Sequence, residues 1–160
     1  MNKIRIGITQ RELKLSNQKE TYDSLDQNWF ELANKCDIDL VLIPNRIINI
    51  SDFIKKNKIK GFIFSGGGPI TKNLGLNKKK NNNTNAFRDI TETKIFKICK
   101  DRKIPILGVC RGMQSLNILF KGGITKIPGF VNKINYLKPF VRHIKPVFWV
   151  ILIQSPEHNI

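Results

Sequence analysis

A chain of 160 residues with 41% hydrophobic and 25% charged residues makes one packed domain, which excludes a disordered chain. No apolar run approaches the ~20 residues of a membrane helix, and the three cysteines form no CxxC pair and no secreted disulfide framework. The net charge of +16 raises nucleic acid as a partner. However, the lysines are spread along the chain, AT-rich codons for Lys, Asn and Ile account for them equally well, and no aromatic interleaving offers a stacking platform. Nucleic acid is therefore not an expected partner.

Met1-Asn2-Lys3 leads directly into a strand-like run without a signal-peptide core, so the expected compartment is the cytoplasm. Ile4 to Thr9 reads as a first, buried strand. Tyr22 to Cys36 reads as a helix whose Leu25, Trp29, Leu32 and Ala33 recur at helical spacing, with Trp29 taken as core. Asp39 to Ile43 reads as a second strand, stopped by Pro44. Ser51 caps a short helix through Lys58. Gly61 to Ser65 reads as a third strand, ending in Gly66-Gly67-Gly68-Pro69.

Residues 71–87 are rich in Lys and Asn and read as a surface loop. A helix follows from about Asp89 to Asp101. Lys103 to Val109 reads as a fourth strand, Arg111 to Phe120 as a helix, and Gly122-Gly123 as its end. Val147 to Ile153 suits one more buried strand, within an atypical tail over 139–160. Strands alternating with helices predict a single α/β domain over residues 1–160, built on a mostly parallel sheet.

Ile104 to Phe120 is strand, Gly108-Val109-Cys110-Arg111-Gly112, helix: the thiol version of a nucleophile elbow. The chain must turn sharply with the cysteine at the apex, where a Cβ on a flanking residue would clash. The helix N-terminus turns its free N–H groups and positive dipole end toward the sulfur, which favours a reactive thiolate. The backbone N–H of Arg111 is placed to meet a developing oxyanion, and the glycine run after the third strand offers a second donor. Alone, a GxCxG segment fits a buried structural cysteine and a glycine run fits a flexible turn. Each standing directly after an apolar strand points to catalysis. Cys36 and Cys99 lack glycine neighbours and read as core or surface thiols. The sequence shows no metal cluster, no nucleotide fingerprint and no cofactor motif.

Ile63-Phe64-Ser65-Gly66-Gly67-Gly68, Arg88-Asp89-Ile90-Thr91-Glu92 and Ile106 to Gln114 together resemble the class I glutamine amidotransferase-like proteins, γ-glutamyl hydrolase branch, which includes γ-glutamyl-γ-aminobutyrate hydrolases. Gly7-Ile8-Thr9-Gln10-Arg11, Tyr22 and Leu25-Asp26 are similar to a sub-branch of γ-glutamyl-CDP-amidate hydrolase type, linked to surface-polysaccharide sugar modification. The resemblance implies a doubly wound, flavodoxin-like fold. It implies Cys110 as nucleophile toward a γ-glutamyl amide, through a thioester. It implies an oxyanion hole from Gly66, Gly67 and Arg111, with Gln114 holding the glutamyl group and Arg88 meeting an anionic part of the substrate. The implied partner is a small γ-glutamyl substrate, with a synthetase as a second partner. Pro69 stands near a point where the family often has an acidic residue.

In that family the cysteine works with a late His-Pro-Glu segment. Here the histidines are His143 and His158, and Pro156-Glu157-His158 has the residue types in another order. His143 matches a family segment that precedes the catalytic histidine, so neither carries over as the base. The expectation is a C-terminally truncated member of the family, its fold incomplete at that end. The alternative is a catalytically inactive homologue serving as a binding or partner protein.

Overall fold

The computed structural model describes residues 3–15, 20–70, 86–122 and 124, and the backbone of 149–151. The first strand, β1 (Ile4–Thr9), is followed by a hairpin of two short strands, β2 (Arg11–Lys14) and β3 (Thr21–Ser24). Then come α1 (Asn28–Lys35), β4 (Ile38–Ile43), α2 (Ile50–Lys56), β5 (Gly61–Phe64), α3 (Ala86–Arg102), β6 (Ile106–Val109), α4 (Arg111–Leu119) and β7 (Trp149–Ile151). The main sheet has the order β4-β1-β5-β6-β7, and every pairing in it is parallel. This is the doubly wound arrangement, whose strand order reverses between β1 and β5. Ligands in such sheets bind outside the carboxyl ends of the strands at that reversal.

The centre of the sheet explains why β5 reads as an unbroken apolar run. All four of its residues are buried, as a strand covered on both faces requires. Phe62 and Phe64 pack there with Ile43, Ile95, Ile106 and Leu116. α3 lies against α2 and α4, so this one helix spans the ground between the glycine run and the cysteine.

Several boundaries differ from the sequence reading, each for a local reason. Thr21 to Ser24 is a strand rather than the start of a helix, paired antiparallel with Arg11 to Lys14. Thr and Tyr favour a pleated strand, and this pairing overrides the helical spacing that Leu25 lends to the segment. Ala33 is the buried residue of α1, while Leu32 is 45% exposed, so the expected core face is mostly open. α2 is capped by Asn49, whose side chain accepts the Asp52 N–H at 3.0 Å, and Ser51 lies inside the helix. α3 begins at Ala86, one turn earlier than expected, so residues 86–87 belong to a helix; residues 71–85 lie outside the described ones. After α4 the left-handed residue is Lys121, with φ of 67°, and the Gly122 N–H bonds the Asn117 carbonyl. β7 falls within the run from Val147 to Ile153, in register beside β6. The rest of the tail over 139–160, including His143 and His158, lies outside the described residues.

Candidate active site

β6 delivers the chain to the carboxyl edge of the sheet, and α4 leaves from it, with Cys110 as the N-cap between them. Cys110 has φ of 52° and ψ of −110°, a conformation that an L-residue adopts only under local strain. Two close approaches hold it there. A Cβ at position 112 would stand 1.9 Å from the Phe64 carbonyl oxygen, and one at 108 would stand 2.8 Å from the Met113 nitrogen. Only glycine lets β5, β6 and α4 come this close. The thiol is half-buried and lines a cleft of about 130 Å³.

The glycine run after β5 forms one side of that cleft. A Cβ on Gly66 would sit 3.4 Å from the Cys110 Cβ and 3.9 Å from its Sγ. The structure therefore brings Gly66, Gly67 and Cys110 together, with Arg111 beginning α4 beside them. Gln114 stands one turn further on, half-buried, its backbone N–H bonded to the Cys110 carbonyl at 3.2 Å. Its side chain is outside the set that lines the cleft.

Arg88 is placed differently from the sequence expectation. It is 0% exposed and lies beneath the glycine run rather than in the cleft. Its Nη1 donates to the carbonyls of Gly66 (3.1 Å) and Gly67 (2.9 Å), and its Nη2 to the Ser65 carbonyl at 2.5 Å and hydroxyl at 3.0 Å. Its Nε donates to Glu92 at 2.8 Å. With every nitrogen bonded to the chain itself, this guanidinium fixes the loop and has no face toward a substrate.

Glu92 is the hub of this network. One carboxylate oxygen accepts from Arg88 and from the Thr9 hydroxyl at 2.9 Å, and the other from Arg111 Nη1 at 2.7 Å. Arg111 also pairs with Asp89. Burial pushes the Glu92 carboxyl up, but the charges and hydrogen bonds of Arg88 and Arg111 outweigh it and hold the group below the usual carboxylate range. Burial also weakens the hold of Arg88 on its proton, against the pull of Glu92. The network thus ties the glycine run, the cysteine turn and the end of β1 to one face of α3. Asp89 and Glu92 look in the sequence like acids favouring a helix N-terminus, and only the tertiary contact shows them as counter-ions.

The far wall of the cleft comes from the hairpin and the start of α1, through Arg11, Leu25, Asp26 and Trp29. Trp29 is half-buried and faces the cleft rather than the core. The hairpin is fastened to the sheet through Asn45. Its backbone N–H and side-chain amide donate to Asp23 at 2.9 and 2.7 Å, and the amide also donates to the Gln10 carbonyl at 3.0 Å. Among the described residues no group of His, Cys, Asp and Glu could hold a metal ion, and no helix is long and apolar enough to cross a membrane.

A family model described as peptidase C26 matches residues 5–154. The chain is 33% identical over 132 residues to the γ-glutamyl-CDP-amidate hydrolase of Campylobacter jejuni, covering 80% of this chain and 61% of that protein. It is 32% identical over 149 residues to a glutamine amidotransferase-like protein of Rickettsia prowazekii, covering 84% of this chain and 51% of that one. The chain therefore spans between half and two thirds of the length of these relatives. A solved structure of a GMP synthase protein from Thermoplasma acidophilum superimposes with a TM-score of 0.47 at 18% identity, over 75% of this chain and 46% of that one.

Proposed function

The chain belongs to the peptidase C26 family of class I glutamine amidotransferase-like proteins, and from that premise we propose that Cys110 is the nucleophile of a γ-glutamyl amide hydrolase. The observation that carries the reading is the backbone at Cys110, a positive-φ cysteine held at a strand-to-helix apex against a glycine run. Strain of this kind costs about 1–3 kcal/mol and persists where it presents a side chain for chemistry. The Cys110 sulfur attacks the γ-carbonyl carbon, and the oxyanion forms beside the backbone N–H groups of Arg111 and of Gly66 or Gly67. The C–N bond then breaks, the amine leaves with a proton, and a γ-glutamyl thioester remains. Water cleaves the thioester, which releases glutamate and restores the thiol.

Arg88 and Glu92 serve this chemistry as positioning residues, since they hold the donors and touch no substrate. A part for Gln114 in holding the glutamyl group rests on the family resemblance alone, since its side chain does not line the cleft. The substrate proposed is a small γ-glutamyl amide, in the manner of the amidate named for the Campylobacter relative, with a role in surface-polysaccharide nucleotide-sugar modification. A glutaminase mode, passing ammonia to a synthetase partner, is the form the same chemistry takes with glutamine as substrate.

Glutamate release from γ-glutamyl amides and from glutamine, measured side by side, tests the reading. Release that disappears in Cys110→Ala is expected. Equal background from the native chain and the variant overturns it, and a preference for glutamine points to the synthetase-coupled mode.

A further inference from the structure

Arg11 and Asp26 carry opposite charges and line the same cleft as Cys110, yet among the described residues neither forms an ion pair, with the other or with any third group. They come from the two arms of one hairpin, Arg11 facing Ser24 across the pairing and Asp26 following two residues later. One Asp26 oxygen accepts the Asn28 N–H at 2.9 Å, which fixes the carboxylate at the entrance to α1. The arm of Arg11 lies over the glycine run. Gly67 has φ of +83°, and a Cβ there would stand 3.1 Å from the Arg11 Cδ and 3.6 Å from its Nη1. A side chain at position 67 would push the arginine away, so the bare backbone is what seats it. The hairpin base is also held, through Asn45 to Asp23 and through the Arg88 N–H to Glu12 at 3.1 Å.

We propose that Arg11 and Asp26 form the head-group subsite of this cleft, reading the α-carboxylate and the α-ammonium of the γ-glutamyl substrate. The proposal rests on the hydrolase reading of Cys110 and names the part of the substrate that the far wall recognises. A γ-glutamyl group is a zwitterion joined to its scissile carbonyl by two methylenes. A wall with one cation, one anion and the apolar surfaces of Trp29 and Leu25 matches it group for group. Two opposite charges that share a cleft without pairing leave both free for a ligand that carries the complements. The assignment also moves the anion contact from Arg88, which is enclosed, to the arginine that faces the space beside the thiol.

Labelling of Cys110 tests this without any need for turnover. The probes are the chloromethyl ketone built on the glutamate side-chain carbonyl, its glutaryl analogue without the ammonium, and its 4-aminobutanoyl analogue without the carboxylate. In each, the thiolate forms a C–S bond, chloride leaves, and the thiol proton passes to buffer. The native chain is expected to react about tenfold or more faster with the full zwitterion than with either truncated probe. Arg11→Gln loses the preference over the 4-aminobutanoyl probe and keeps the other, Asp26→Asn does the reverse, and Arg11→Lys recovers part of the first. Equal reaction with neutral iodoacetamide checks that the thiol is intact in each variant. No head-group preference in the native chain, or the same preference in all variants, overturns the subsite. Head-group preference without glutamate release from a γ-glutamyl amide removes the hydrolase reading and leaves the subsite standing.

Discussion

Arg88 and Arg111 grip opposite oxygens of a single buried carboxylate, that of Glu92, at 2.8 and 2.7 Å. The first arginine holds the carbonyls of the glycine run and the second directly follows Cys110. The two halves of the proposed oxyanion hole therefore share one counter-ion. Removing one cation strands a charge in the interior, which costs about 3–5 kcal/mol. Arg88→Met is expected to lose stability on that scale in a denaturant titration. Its Cys110 should also label more slowly with the glutamyl chloromethyl ketone, because Ser65, Gly66 and Gly67 lose the anchor on their three carbonyls. A variant as stable as the native chain would show that the loop holds itself.

The same hub fixes the direction of an acid transition. The Glu92 carboxyl is held below its ordinary value in the folded chain. Its contribution is complete above the unfolded value of about 4.5 and is lost as pH falls through the lower folded value. Thermal melting is expected to be flat in this respect above pH 5 and to drop steeply in more acid buffer. Glu92→Gln, destabilised at neutral pH, should show a shallower acid drop. An acid profile of unchanged steepness in that variant would place the transition in other carboxyls.

Cys110 stores strain that glycine would release. The φ of 52° with ψ of −110° is penalised for any residue with a Cβ. Cys110→Gly is expected to be more stable than Cys110→Ala by about 1 kcal/mol or more, or about 2–4 °C in melting temperature for a chain of this size. Both variants lack the thiol, so the difference reports the backbone alone. Equal melting would mean that the turn is relaxed.

The three thiols should separate by reactivity. Burial pushes the Cys99 thiol up to about 12, Cys36 is exposed, and Cys110 is half-buried at the cleft. Brief iodoacetamide treatment followed by peptide mass mapping should label Cys110 and Cys36 and spare Cys99 until denaturant is added. Early modification at Cys99 would show that the packing between α3 and the sheet opens readily.

Legibility in the sequence follows the range of the forces involved. The parallel strands are readable because burial on both faces writes continuous apolar runs, as in Gly61 to Phe64. The elbow is readable because steric exclusion acts within a few residues, and the two glycines around Cys110 record it. The hairpin is hidden because Leu25 and Trp29 mimic a helical face, while the pairing of Thr21 to Ser24 with Arg11 to Lys14 spans a connection that local pattern does not reveal. Arg88 misleads for a related reason. A buried arginine and a substrate-binding arginine look alike until the carbonyls of Ser65, Gly66 and Gly67 are seen around it. Arg11 stands in a recognised motif, but its position over Gly67 depends on a contact between residues far apart in the chain.

The hairpin of β2 and β3 forms a sheet of its own and reaches the main sheet chiefly through side chains such as Asn45. The turn at Cys110 and the glycine run are instead tied to the interior through Arg88, Glu92 and Arg111, where a substitution disturbs everything around it. A protein divided in this way keeps recognition and support apart: exchange of Arg11 or Asp26 at the rim would change the proposed head-group preference while the buried network behind Cys110 stays as it was.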